Sequence, residues 1–227
     1  MNDARISELL APFLGPSGQE VTAADLKDIS MYIDMLLRWN ARMNLTAIRD
    51  AEQIVTRHFG ESLFAARQVF PERGTPKGVR VGDVGSGAGF PGLPIKLWAP
   101  HISLTLIESN QKKATFMREV VRKLILTNVD VCNVRAGAMV GTLFDVVTLR
   151  AVERFESVLA TAASLVAPGG RLVLLVGAGQ LEVAEISLTG VGGKADFDAA
   201  GVEAVPVPLS ESRMLAVARR NRENQGG

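Results

Sequence analysis

Ten consecutive residues, Asp83-Val84-Gly85-Ser86-Gly87-Ala88-Gly89-Phe90-Pro91-Gly92, combine the residue types needed to hold a nucleotide-like ligand. Glycines let the backbone approach a ligand closely, and a helix that starts just after such a turn presents N–H groups with no partner inside the helix. The apolar run 79–84 before the turn reads as a strand, and residues 93–98 after it read as a helix. A second acid, Glu108, follows the next apolar run and lies 23 residues beyond Gly85. In dinucleotide folds an acid about 20 residues on meets a ribose hydroxyl. The plainer reading is a glycine turn that only packs a helix on a strand. Three glycines, a proline and two placed acids together argue against it.

Position 90 separates two ligand classes. A dinucleotide fingerprint needs Gly or Ala there. This chain has Phe90, with its third glycine one residue earlier at Gly89. The order Asp-x-Gly-x-Gly-x-Gly resembles the first motif of S-adenosylmethionine (SAM) dependent methyltransferases of Rossmann-like fold. That resemblance implies a loop cradling the methionine part of SAM and a second acid on its ribose. A nicotinamide or flavin oxidoreductase is the alternative that Phe90 and Asp83 disfavour.

The elements around the loop follow from periodicity. Residues 3–70 carry apolar residues at helical spacing: Ile6, Leu9, Leu10, Phe13 and Leu14, then Leu26, Ile29, Ile33, Leu36 and Leu37, then Ile54, Val55, Phe59, Leu63, Ala66 and Val69. Pro16-Ser17-Gly18 breaks the first from the second. Thr22 with Asp25, and Asp50 with Gln53, look like helix starts. From residue 79 short β-like runs (79–84, 103–107, 129–134, 144–149, 171–176) alternate with helical runs (91–98, 110–125, 153–166, 179–187). This alternation predicts a parallel sheet covered on both faces. Runs 204–207 and 214–218 close it. The expected fold is therefore α/β: a Rossmann-like, seven-stranded sheet of the SAM methyltransferase type, mostly parallel with the last strand antiparallel, and an N-terminal helical lobe. The expected division is 1–72 for the lobe, 73–219 for the methyltransferase domain and 220–227 for a polar tail.

Composition narrows the classes. The chain has 227 residues, 47% of them hydrophobic, which is ample for a core. No apolar run reaches the ~18 residues of a membrane span, and the N-terminus lacks a signal-peptide pattern. The single cysteine, Cys132, rules out an internal disulfide and fits a reducing cytoplasm. A cytoplasmic monomer with no metal is expected. With 25 basic and 24 acidic residues the net charge is +1, so contact with nucleic acid must come from a local patch.

Ordered segments carry a more specific resemblance. They are Arg38-Trp39-Asn40, Met43-Asn44-Leu45-Thr46 and Arg57-His58, then the loop continuing to Leu93-Pro94, then Ser109, Lys112-Lys113 and Phe116, Asn128-Val129, Arg135-Ala136, and Phe144-Asp145 leading to Arg150-Ala151. Together they resemble the glucose-inhibited division protein B family, bacterial 16S ribosomal RNA guanine-N7 methyltransferases. The resemblance implies SAM contacts at Gly85, Gly87, Phe90, Ala136, Gly137 and Arg150, with Glu108 on the ribose. It implies small-subunit rRNA, or the 30S subunit, as partner, and candidate RNA contacts at Arg57, His58, Lys112, Lys113 and Arg213. His58 reads equally as a hydrogen-bonded structural histidine, and Trp39 as a packing residue. The chain departs from the family pattern at Leu149, Glu153, Gly137, Val176 and Glu108. The first four of those departures keep open a SAM-binding regulatory or RNA-binding protein on the same scaffold without turnover.

No catalytic residue is assigned, and the implied reaction explains why. Guanine N7 carries an in-plane lone pair and needs no deprotonation to attack a sulfonium methyl. Alignment of donor and acceptor is then the main requirement.

Overall fold

The computed structural model describes residues 1–15, 21–71, 73, 77–152, 154–189 and 196–222. The expected break at Pro16-Ser17-Gly18, residues 74–76 before the sheet, Glu153 and the end of the polar tail lie outside these residues. Seven strands form one sheet: β1 (Arg80–Val84), β2 (Ser103–Ile107), β3 (Val129–Cys132), β4 (Phe144–Arg150), β5 (Val166–Gly177), β6 (Phe197–Pro206) and β7 (Arg213–Arg220). Their order is β3-β2-β1-β4-β5-β7-β6. β1 to β5 pair in parallel, and β7 runs antiparallel to both β5 and β6. This is the sheet expected from the sequence.

Order reverses between β1 and β4, and at such a point an open parallel sheet leaves a crevice beyond its strand ends. Gly85, Glu108 and Arg150 lie at the carboxyl ends of β1, β2 and β4. β7 starts opposite Gly177, at the end of β5, so Arg213 lies on the same edge.

Strand alternation builds two cores. Val81, Leu104, Leu106, Val146, Val173, Leu175 and Leu215 face one side, where α1 (Asp3–Leu14), α2 (Ala23–Met43), α4 (Glu61–Val69), α5 (Gly92–Trp98) and α6 (Gln111–Lys123) cover them. Val147, Leu149, Leu172, Leu174 and Val176 face the other, under α7 (Phe155–Ser164) and α8 (Ala178–Thr189). The N-terminal helices thus share a continuous apolar core with the sheet. Leu149 and Val176, two of the departures from the family pattern, are buried packing residues of the second core.

Local sequence explains the helix ends. Thr22 and Asp25 make the full capping box that starts α2. Asp50 accepts from the Gln53 N–H and starts the short α3 (Ala51–Gln53). Between α3 and α4 the chain widens into a π-helix, Ile54–Gly60, where regular periodicity predicted one α-helix. Wide turns of this kind recur at functional sites. This one carries Arg57 and His58. Among the described residues no helix is long and apolar enough to cross a membrane.

Candidate functional site

The glycine loop is stitched to the neighbouring strands. The N–H groups of Gly85 and Ser86 both donate to the Ile107 carbonyl, at 2.9 and 3.2 Å. The Ser86 hydroxyl donates to the Asp83 carbonyl and accepts from the Ile107 N–H. Asp83 is fully buried. Its Oδ1 accepts from the Thr148 hydroxyl of β4 at 2.7 Å, and its Oδ2 from the Gly92 N–H at the start of α5 at 3.1 Å. The acid therefore ties β1, β4 and α5 together. Burial pushes its carboxyl up to about 6, although these hydrogen bonds and Arg150 pull the other way.

Gly87 has a φ of +60°, and an added Cβ would meet nothing nearer than the Gly85 carbonyl oxygen at 3.9 Å. Glycine is therefore required by conformation, and the space beside it is open. Its N–H donates to Glu108 Oε2 at 2.9 Å, while the Asn110 N–H donates to Oε1 at 2.7 Å. A carboxylate has about four acceptor positions, so each oxygen retains one for a ribose hydroxyl. Asn133, beyond β3, bonds the carbonyls of Glu108 and Ser109 and fixes the spacing of the two strand ends. After it, Ala136 and Gly137 lie in a 3-10 turn, Ala136–Ala138. Gly137 is exposed, with nothing within 4 Å of where a Cβ would stand. An open glycine, a carboxylate with spare acceptors and an open backbone turn on one crevice fit the methionine, ribose and adenine parts of SAM.

Phe90 stacks with two rings, Tyr32 at 5.3 Å and His58 at 4.7 Å, while Phe59 meets it edge-on at 5.2 Å. Tyr32 donates its hydroxyl to the Ala88 carbonyl and so clamps the loop to α2. Gly89 has a φ of +92°, and a side chain there would collide with this hydroxyl.

His58 is half-buried. Arg150 Nη2 approaches Nδ1 at 3.3 Å, and Thr46 Oγ1 lies 2.9 Å from Nε2. A guanidinium can only donate, so the network assigns a neutral ring with the proton on Nε2, donated to Thr46. Burial, then Arg150, Arg57 and Arg213, push its pKa down to about 3.

Arg150 is buried, and burial lowers its pKa to about 10. It donates to the Arg57 carbonyl at 2.5 Å and pairs with Glu61 Oε2 at 3.2 Å. Arg57 Nε reaches Glu61 Oε1 at 3.0 Å, and Arg213 Nε lies 3.0 Å from Oε2. Glu61, itself buried, gathers three arginines from the π-helix, β4 and β7. Sequence reasoning did not single it out. The signal available was an acid four residues after Arg57 on a helix, a spacing that usually marks a surface pair.

Of the residues singled out in sequence, Gly85, Gly87, Phe90, Glu108, Ala136, Gly137, Arg150, Arg57, His58 and Arg213 all line or border this one edge. Lys112 and Lys113 lie in the first turn of α6, whose N–H groups Asn110 caps; Lys112 is exposed and Lys113 half-buried.

Known proteins show which family the chain belongs to. A family profile described as rRNA small subunit methyltransferase G matches residues 25–190. Ribosomal RNA small subunit methyltransferase G of Xanthomonas euvesicatoria pv. vesicatoria is 38% identical over 180 residues, covering 78% of this chain and 82% of its own. The protein of the same name from Xylella fastidiosa is 38% identical over 181 residues, with the same coverage. Among solved structures, a ribosomal protein L11 methylase from Lactobacillus delbrueckii subsp. bulgaricus superposes with a TM-score of 0.55 at 18% identity, covering 71% of this chain and 80% of its own. TrmN from Thermus thermophilus superposes with a TM-score of 0.55 at 16% identity, covering 73% and 53%. The two structural likenesses bear on the fold alone. The sequence relatives and the profile, which takes in the chain from α2 through the glycine loop and Arg150, establish the family: the chain belongs to the rRNA small subunit methyltransferase G family.

Proposed function

We infer that this protein is a SAM-dependent methyltransferase acting on N7 of a guanine in small-subunit ribosomal RNA. The observation that carries the reading is the family match across residues 25–190, which takes in the glycine loop, Glu108 and Arg150. SAM, when bound, supplies an electrophilic methyl on a sulfonium. The protein's part is to seat the donor and present the guanine. In this reading Gly85, Gly87 and Phe90 take the methionine side, Glu108 the ribose, and the Ala136-Gly137 backbone the adenine. The Arg150 backbone borders the donor at the end of β4. Arg57, His58, Lys112, Lys113 and Arg213 lie toward the RNA. Residues 1–72 act as a lobe bringing Arg57 and His58 to the edge of a methyltransferase domain at 73–219, and 220–227 form a polar tail.

No general base is needed, because N7 attacks through a lone pair that it already holds. The state of the edge is consistent with this. His58 is kept neutral with both ring nitrogens engaged, and Asp83 is buried beneath the loop. Catalysis then rests on in-line alignment and on an environment that tolerates a purine gaining positive charge. We propose a cytoplasmic monomer acting on rRNA within the small subunit or its precursors. Mapping N7-methylguanine in the small-subunit rRNA of a strain lacking this protein tests the reading. Loss of one modified guanine, restored by the intact gene, is expected; unchanged methylation overturns it.

A further inference from the structure

The arginines around Glu61 are not balanced among the described residues. Arg57, Arg150 and Arg213 face Glu61, Arg150 alone also acts on the buried Asp83, and His58 beside them is neutral: three cations against two carboxylates. The hydrogen bonding is incomplete as well. Among the described residues Arg150 Nη1, Arg213 Nε and Glu61 Oε2 are buried without a hydrogen-bond partner; the Arg213–Glu61 contact is within ion-pair distance but out of line. Arg150 is the sharpest case, with 7% of its side chain exposed. Buried polar groups nearly always find partners, and an unpaired buried guanidinium N–H points to a group that the described residues do not supply. Exposure is graded: the Arg57 side chain is 47% exposed, Arg213 21% and Arg150 7%. The cluster thus narrows from an exposed Arg57 to a buried Arg150, a funnel of guanidiniums in terms of exposure.

We propose that this funnel seats one phosphate of the rRNA backbone, next to the guanosine whose N7 is methylated. The inference rests on the rRNA methyltransferase reading and deepens it. A phosphodiester brings one negative charge and several acceptor lone pairs. It can accept from Arg150 Nη1 at the floor while Arg57 and Arg213 close on it from the mouth. Glu61 acts as a positioning residue: it orients three guanidiniums that would otherwise repel one another. The place in the sheet fits the acceptor. The glycine loop, Glu108 and Gly137 serve β1, β2 and β3, whereas the funnel is built on β4, β7 and the π-helix, on the far side of the Phe90–His58 stack. A guanine must leave its stack to reach a donor in a crevice, and a held flanking phosphate fixes its backbone while it does so.

The test uses the full chain and the partly exposed arginines, whose loss leaves the floor intact. Arg213→Gln and Arg57→Gln are each expected to raise the KM for small subunits lacking the modification by about tenfold. Each should lower the steepness of the salt dependence by about one phosphate's worth, with SAM affinity by calorimetry held within about twofold of the parent. A probe independent of activity is the rise in Tm on adding inorganic phosphate at constant ionic strength, present in the parent and reduced in both variants. An unchanged KM and salt slope in the variants, with an active parent, overturns the proposal. So does a loss of SAM affinity with an unchanged KM for the subunit, which would give the funnel to the methionine carboxylate. A parent that transfers no methyl to the subunit would instead sink the underlying function while leaving the phosphate-dependent Tm rise to be read by itself.

Discussion

On the β1–β3 side of the crevice, both oxygens of Asp83, both of Glu108 and the Ser86 hydroxyl have hydrogen-bond partners inside the protein. On the β4–β7 side, Arg150 Nη1, Arg213 Nε and Glu61 Oε2 have none among the described residues, and three arginines crowd one carboxylate. The first side is a shape, held by backbone bonds and glycine. The second is a charge, held in place by a single acid. A small neutral-to-cationic donor such as SAM needs the former, and a polyanionic acceptor needs the latter. The Tyr32–Phe90–His58 stack stands between them and joins the two in one core.

Removing the acid should break the comparison most severely. Glu61→Ala leaves buried guanidiniums without a counterion, a class of change that costs about 3–5 kcal/mol. Urea unfolding is expected to show that loss. Losing less than about 1 kcal/mol would mean that the arginines splay into solvent and were never held. Next is the shape. Gly87→Val forces a left-handed φ on a branched residue, at roughly 1–3 kcal/mol of strain, and fills the open space beside the loop. SAM affinity by calorimetry should fall by about a hundredfold, or about 2.7 kcal/mol.

Acid titration sharpens the contrast, because the two sides respond with opposite signs. Asp83 has a pKa raised from 3.8 to about 6, so its contribution to stability is full below 3.8 and lost as pH rises through about 6. His58 has a pKa lowered from 6.5 to about 3, so its contribution is full above 6.5 and lost as pH falls toward about 3. The two slopes are about one proton each and opposite between about pH 4 and 6, so they offset one another there. Relative to the parent, Asp83→Asn should therefore add a loss of Tm on acidification in that window, and His58→Gln should add a gain. Identical pH profiles in parent and both variants would count against these assignments. The mildest change is Gly137→Asp. The space around Gly137 is open, so the variant should fold normally and gain about 0.5–1.5 kcal/mol in SAM binding from one added acceptor. A weaker binder would mean that Gly137 is kept bare for another reason.

What the sequence reveals divides along the same line. The β1–β3 side is written in short segments: the glycine turn, the acid at 108 and the strands flanking them were all legible, with boundaries close to those observed. β5 was foreseen from residue 171, yet it starts at Val166, because Pro168-Gly169-Gly170 reads as a break and the register with β4 shifts there. The π-helix was not legible. One wide turn inside a helical run leaves the apolar spacing nearly intact, so periodicity cannot flag it. Glu61 was hidden for a different reason. Its partners Arg150 and Arg213 are far off in the chain, and only the folded sheet brings them to it. His58 was read two ways, and the structure supplies the stack and the hydrogen bonds of the structural one. Trp39 packs edge-on against Phe116, in line with the packing expectation.

The most direct test of the account is transfer of labelled methyl from SAM, by the purified protein, to 30S subunits from a strain that lacks it. Stoichiometric incorporation at N7 of one guanine, absent with subunits from the parent strain, is the predicted result. SAM binding without incorporation into either set of subunits would contradict it.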